Sequence, residues 1–448
     1  MLVLRNCQIV NGDGRTRPFA GSIAIEGSVI AAVTPEDLSG GPRDTVLDLD
    51  GRTVVPGAIN AHAHAAAPGP RFASGTPGVP LSEALGNLRR HLVQGHTTVV
   101  DLDGFKLPEE TAEVRSAQPV KVESSTVHFD PMFEAADAAD GSGLTAAHRA
   151  MTAGTMRDRG AVVIGEVGAG MTLGGGGQDY LYIPAAVEKA IGVRISPAQA
   201  MELKYAVLGR HIRPGNPDRE RVAELLGEYG LQKLSEDETI SLIEGSVLPS
   251  MQVSLDGLVR SAQLAVELGL PTLVHNAAAS DEAAREAAKI AGPLFIGGHT
   301  NHDTYSVEES LANARLIREH GGHVEIDTFD AWGRRELQTT PDHMIAMIQE
   351  DLVDIIATDY AAGHWDGIWE LVAGIVQVGL APVEKAVSFA TGNVAKALPR
   401  IGADRGFLKA GFAADLVVSS RRSLADIALV MIDGDVAYSK AEVPPLNV

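Results

Sequence analysis

The sequence predicts an α/β protein, a (β/α)8 TIM barrel carrying a small β-sandwich built from both termini. Three observations predict it. Eight apolar, strand-like runs recur between residues 54 and 359 with helical patterns among them, and both ends of the chain are rich in short alternating segments. His, Glu and Asp residues also stand at the C-terminal ends of several of those runs, the rim where such a barrel carries its reactive groups.

The N-terminal segments LVLRNCQIV, GSIAIEGSVIAAV, TVLDLD and RTVV are broken by NGDG and SGGP, as an antiparallel β unit requires. AADLVVS and IALVMIDGDVAYS, with a turn at Asp433-Gly434, supply matching strands near the other end. Residues 1–57 and 405–448 are therefore expected to build one composite sandwich, and residues 58–404 the barrel.

The eight barrel strands read as VVPGAIN, TTVVDLD, VKVESST, AVVIGEV, PTLVH, LFIGGH, HVEIDT and VDIIATD. They end near residues 60, 103, 126, 167, 275, 299, 328 and 359. The rhythm breaks once, at about 169–255, where GAGMTLGGGGQDY leads into charged helical sequence such as RERVAELLGEYGLQKLSEDE. An insertion at a βα junction on the reactive side is expected to form a lid.

A formal net charge of −21 opposes binding to nucleic acid or an anionic membrane, since both require a basic footprint. The expected partner is a small molecule, and the expected assembly a homo-oligomer. The single cysteine, Cys7, excludes an internal disulfide framework and a thiolate cluster, and no apolar run is long enough to span a bilayer. A cytoplasmic location is the expectation.

His62-Ala63-His64 follows the first barrel strand directly, and residues two apart on an extended segment point the same way, so the two imidazoles can grip one ion. Alone, HxH is weak. Glu166 closes strand four, His275 strand five, His299 strand six and Asp359 strand eight, so six ligand types converge on one rim. Six ligands exceed one tetrahedral Zn²⁺, and two divalent ions with a bridging carboxylate are the economical arrangement.

Glu166 fits the bridge; His62, His64 and Asp359 are assigned to one metal, and His275 and His299 to the other. Zinc is the first expectation for both ions, with mixed Zn/Fe or Mn as alternatives. A hydroxide bridging the metals would attack an amide carbonyl, with Asp359 as general base and then general acid toward the departing nitrogen.

Weaker candidates surround this set. His302, in GGHTNHD, is expected to hydrogen-bond the substrate or support the neighbouring ligand His299, the alternative being a solvated loop histidine, and Tyr360 and His364, in TDYAAGHW, to face the substrate or pack at the barrel mouth. Arg71, Lys106 and Lys204 are the cations available to a substrate carboxylate. His91, His96, His128, His148, His211 and His323 lack a strand-end position and read as structural or surface residues.

HAH after strand one, a carboxylate on strand four, His on strands five and six and Asp on strand eight resemble the amidohydrolase superfamily. The likeness runs through NGDG, VVPGAINAHAH, ATGNVAKAL, GFLKAGFAADLVV and IDGDVAYSKAEVPP, nearly the whole chain. Many cyclic-amidase members place a carboxylated lysine on strand four; Glu166 in IGEVG is more similar to the enamidase type, which opens a lactam with Zn and Fe. The resemblance implies a six-membered lactam or related cyclic amide or imide as substrate. The 109 positions from Glu166 to His275 depart from the compact enamidase pattern.

A deaminase on the same barrel would use a glutamate in an HxxE segment, but Asn276-Ala277-Ala278 and Thr300-Asn301-His302 follow the two histidines. A lactonase on this barrel and a catalytically silent scaffold are the remaining alternatives; the scaffold would be expected to have lost ligands, whereas every position is filled.

Overall fold

The computed structural model describes residues 1–168, 177–328, 341–359 and 367–440. Five strands open the chain: β1 (Leu2–Ile9), β2 (Phe19–Glu26), β3 (Val29–Thr34), β4 (Thr45–Asp48) and β5 (Thr53–Pro56). The barrel strands follow as β6 (Ala58–Ala63), β7 (His96–Asp101), β8 (Lys121–Thr126), β9 (Val163–Val167), β10 (Thr272–His275), β11 (Phe295–Gly298), β12 (His323–Asp327) and β13 (Ile355–Ala357). Three more, β14 (Leu416–Ser419), β15 (Ile427–Ile432) and β16 (Asp435–Ser439), return to the first group.

The terminal strands form one eight-stranded sheet in the order β16-β15-β14-β5-β1-β2-β3, with β4 paired to β1. It encloses its own apolar core, including Leu4, Ile9, Ile23, Leu47, Val54, Leu416 and Met431, as a β-sandwich requires. Both ends of the chain meet where β14 runs antiparallel to β5, Leu416 opposite Pro56 and Ser419 opposite Thr53. Cys7 is buried in this core, a small apolar filler.

β6 to β13 pair in sequence order, all parallel, giving the eight-stranded barrel. Each of the eight runs predicted from the sequence became one of these strands. Side chains help to close the ring between its last and first strands: Asn60 donates to the Thr358 hydroxyl at 2.7 Å and accepts from the Thr358 N–H at 3.1 Å. The Asp359 N–H then donates to the His62 carbonyl at 3.0 Å, which sets strand-eight Asp359 beside strand-one His62.

Gly57 joins sandwich to barrel. A Cβ there would lie 2.1 Å from the Thr97 hydroxyl oxygen, so only glycine admits this approach.

Between β9 and β10 the insertion is helical where it is described, with helices Ile183–Ile191, Pro197–Leu208, Arg219–Glu228 and Glu236–Leu268. The last is 33 residues long, opened by a capping box in which Ser235 accepts from the Glu238 N–H, and closed by Gly269 in the left-handed conformation. The expected end of the insertion near residue 255 falls inside it, so one continuous helix serves both as part of the insertion and as the crossover into β10. Of the glycine-rich run, residues 169–176 lie outside the described residues. No helix among the described residues is long and apolar enough to cross a membrane.

Candidate metal centre

The C-terminal ends of β6, β9, β10 and β11, with the residue two beyond β13, bring His62, His64, Glu166, His275, His299 and Asp359 together. The strand pleat explains the pair on β6: His62 and His64 are two residues apart and their rings meet edge to face at 5.4 Å. His299 lies between the two groups, its ring 4.7 Å from His62 and 4.6 Å from His275.

Glu166 is buried at the centre, its two oxygens divided between the histidines. Oε2 is 3.5 Å from His62 Nε2 and 3.4 Å from His64 Nε2; Oε1 is 2.7 Å from His275 Nδ1 and 3.3 Å from His299 Nε2. Asp359 Oδ1 lies 3.5 Å from both His62 Nε2 and His64 Nε2, and its Oδ2 3.9 Å from His299 Nε2. Three ligand groups result, each with its atoms within 4.8 Å of one another: His62, His64 and Glu166; His62, His299 and Asp359; Glu166, His275 and His299.

The donor set fits divalent metal. Imidazole and carboxylate suit first-row divalent ions. His62 Nε2 and His275 Nε2 are buried without a hydrogen-bond partner, an arrangement that costs stability unless something binds there. Burial alone would lower the His62 pKa, but Glu325 and Glu166 outweigh it and raise it to about 9. Burial would raise Asp359, yet the charge of His299, a bond from His64 and the charge of His62 bring it down to about 2. Glu166 is likewise driven well below its usual range, burial notwithstanding, by His62 and by bonds from His275 and His299. The carboxylates thus demand positive charge at this rim, and protons on the imidazoles supply it where metal is not bound.

Two ligand positions are held in a strained backbone. His299 (φ 53°) and Asp359 (φ 49°) both adopt the left-handed conformation, at about 1–3 kcal/mol each. Such strain persists where surrounding structure over-determines it, and it concentrates at working sites.

Three further carboxylates, absent from the sequence-based set, hold the histidines from behind. Glu325 Oε1 is 2.9 Å from His62 Nδ1, Asp103 Oδ1 is 3.0 Å from His64 Nδ1, and Asp327 Oδ2 is 3.1 Å from His299 Nδ1. An imidazole that donates through Nδ1 turns its Nε2 lone pair toward the centre. Their signal was available in the sequence: Glu325 and Asp327 alternate in HVEID and Asp103 ends VVDLD, carboxylates in strands otherwise built for burial.

The weaker candidates separate. His302 sits at the site, its ring 5.4 Å from His275 and 6.4 Å from His299. Lys106, expected to meet a substrate carboxylate, is buried and committed elsewhere, bonding Asp101 at 2.6 Å and Asp103 at 2.8 Å. A buried ammonium is stable only with such partners, and Asp103 gains a cation while it holds His64. Lys204 is fully buried against Asp179, at 2.8 Å. Arg71 is exposed, its main-chain N–H bonded to the Thr76 carbonyl. Tyr360 and His364 lie outside the described residues. His91 and His96 are far from this rim in the barrel's long direction, since His96 opens β7; their Nδ1 atoms are 2.8 Å apart.

The family model described as the amidohydrolase family matches residues 53–437. The chain belongs to the amidohydrolase family. This amidohydrolase matches no curated protein by sequence. Its fold is shared with solved structures of low identity. A β-aspartyl dipeptidase from Fervidobacterium islandicum AW-1 aligns at TM-score 0.56 and 14% identity, over 100% of this chain and 98% of that one. Enamidase aligns at TM-score 0.56 and 17% identity with the same coverage, and a D-hydantoinase (dihydropyrimidinase) from Thermus sp. at 0.51 and 15%, over 99% and 96%. The amidohydrolase is accordingly a hydrolase acting on C–N bonds, with groups at its barrel mouth able to bind divalent metal.

Proposed function

We propose that this amidohydrolase opens a cyclic amide, a lactam or imide, at a binuclear centre in which Glu166 bridges two divalent ions, zinc foremost. The observation that carries the reading is the division of the Glu166 oxygens, Oε2 toward His62 and His64 and Oε1 toward His275 and His299. A carboxylate so placed offsets the repulsion of two dications. His62, His64 and Asp359 would hold one ion and His275 and His299 the other. Bound metal would supply water acidified to a pKa near ~7 and a Lewis acid for the carbonyl oxygen.

The chain's own groups do the proton work. Asp359 is the most exposed of the candidate ligands, with 29% of its side chain open to solvent against 11% or less for the others. Held near a pKa of about 2, it is a carboxylate at neutral pH and can accept the proton of the attacking water. The same oxygen returns that proton to the ring nitrogen as the C–N bond breaks, which leaves on one opened molecule a carboxylate and an amine from a lactam, or a carboxylate and an amide from an imide.

Support for a cyclic substrate comes from the likeness of Glu166 in IGEVG to the enamidase type, and from the fold shared with enamidase and hydantoinase. Metal-loaded enzyme should be assayed against δ-valerolactam, glutarimide, hydantoin, δ-valerolactone, β-aspartyl-leucine and an N-acyl amino acid. Ring opening of a lactam or imide is the expected result; turnover confined to the linear substrates overturns the cyclic assignment.

A further inference from the structure

His302 stands three residues past the candidate ligand His299, and the contacts of its Nδ1 bear on which ring nitrogen carries the proton. The Thr304 main-chain N–H donates to His302 Nδ1 at 3.2 Å. The Thr304 hydroxyl is 2.9 Å from the same nitrogen. That hydroxyl oxygen already accepts the Ala278 N–H at 3.0 Å, so its single hydrogen is available to the ring. Two donors on one nitrogen leave no room for a proton on it. Asp303 Oδ1 is also 3.2 Å from Nδ1, but accepting a ring proton there would set it against a main-chain N–H that cannot be withdrawn.

These contacts favour the tautomer that carries its proton on Nε2. The ring meets His275 edge on at 5.4 Å and lies 6.4 Å from His299, and it keeps 19% of its side chain exposed beside these two candidate ligands. We propose that His302 is a neutral catalytic residue whose Nε2–H donates a hydrogen bond to the substrate's carbonyl oxygen and to the oxyanion that forms from it. No proton is transferred: the bond strengthens as charge grows on the oxygen, which is the condition for lowering the barrier rather than merely binding substrate.

The insertion takes part in holding this device. Arg210, just after helix Pro197–Leu208, bonds the Thr304 carbonyl and pairs with Glu309, at 3.0 Å from one of its oxygens, while His211 Nδ1 is 3.0 Å from the Ala278 carbonyl. Both residues that feed His302, Thr304 and Ala278, are thus pinned from the inserted segment. This gives the inserted segment a specific role, that of holding the loop on which His302 sits.

The inference rests on the site being a hydrolase acting on a carbonyl, and two experiments test it separately from the cyclic-amide reading. In zinc-loaded protein with ¹⁵N-histidine, the ring signals that vanish in His302→Gln should show an unprotonated Nδ1 and a protonated Nε2 at pH 7. A protonated Nδ1, or an imidazolium, overturns the proposal without any substrate.

Kinetics form the second arm, with glutarimide and p-nitrophenyl acetate as probes. His302→Leu should lower kcat by ~100- to 1000-fold with KM little changed and zinc content intact, and His302→Gln should recover part of it through its amide N–H. Unchanged kcat, or a loss that tracks zinc loss, overturns it. If only p-nitrophenyl acetate is hydrolysed by wild type and the Leu variant loses that activity, the cyclic-amide reading fails and the donor role stands.

Discussion

His62 Nδ1 and Glu325 Oε1 lie 2.9 Å apart, and both side chains are fully buried, so strand seven sets the orientation of a histidine on strand one. Across the barrel mouth the next inward residue of the same strand, Asp327, does the same for His299. One strand therefore presents carboxylates to two histidines of the cluster, and the pleat, which turns every second residue inward, is what allows it.

Glu325→Gln keeps an oxygen for the His62 ring but removes the charge. Metal affinity should fall by ~10- to 100-fold, measured by competition with a chromophoric chelator. Wild-type affinity in this variant would show that the buried carboxylate is not tuning the histidine.

Removing Glu166 should be worse for occupancy than removing Asp359, because its two oxygens face four histidines. Glu166→Ala is expected to lose metal by elemental analysis. Asp359→Ala should remain folded and retain more metal than Glu166→Ala, with kcat down by orders of magnitude. Full metal content in Glu166→Ala would refute the bridge, and normal turnover in Asp359→Ala would remove it from proton transfer.

In the helix Leu81–Val93, burial lowers His91 to about 3, and at the start of β7 burial with the neighbouring His91 takes His96 well below its usual value. Both pKa values are depressed in the folded state, so between pH ~6.5 and the folded values only the unfolded chain takes up these protons. Stability is then present above pH ~6.5 and declines as pH falls, by about 1.4 kcal/mol per pH unit per histidine. Urea midpoints of EDTA-stripped protein from pH 7.5 down to 5 check the sign, and His96→Asn should shallow the slope. An identical slope in that variant would assign the acid sensitivity elsewhere.

Arg210→Ala removes a partly exposed pair with Glu309 and a bond to the Thr304 carbonyl. The pair itself is worth at most about 1 kcal/mol, so the global urea midpoint should move little. Amide exchange at residues 302–306 should nevertheless accelerate, as one anchor of that loop is lost. Exchange no faster than in wild type would mean the insertion does not steady it.

How much was legible before the coordinates follows from the physics of each feature. The eight barrel strands could be read because a strand covered on both faces must be apolar along its whole length, and VVIGEV or VDIIATD carry that signature locally. The six candidate ligands could be read because parallel strands in a barrel all end at one rim, so strand-end position alone implies proximity.

Asp103, Glu325 and Asp327 escaped, although each sits in a recognised strand. A buried carboxylate means either a partner or a ligand, and only packing says which imidazole lies behind it. Lys106 failed in the opposite direction: a lysine near a strand end looks available to substrate until Asp101 and Asp103 are found on it at 2.6 and 2.8 Å. The insertion's boundary near residue 255 falls inside the helix Glu236–Leu268, which runs on through Pro249 and Gly257 because both are carried within a helix capped only at its ends, by Ser235 and Gly269.

The amino-acid order by itself thus determined the barrel, the sandwich shared by the two termini and the identity of the rim, since those depend on periodicity and on where strands end. Only the tertiary structure decided which carboxylate backs which histidine and how the Glu166 oxygens divide. Such pairings are made across tens to hundreds of residues of sequence separation and are fixed by distances of about 3 Å, a scale on which hydrogen bonds discriminate and sequence spacing does not.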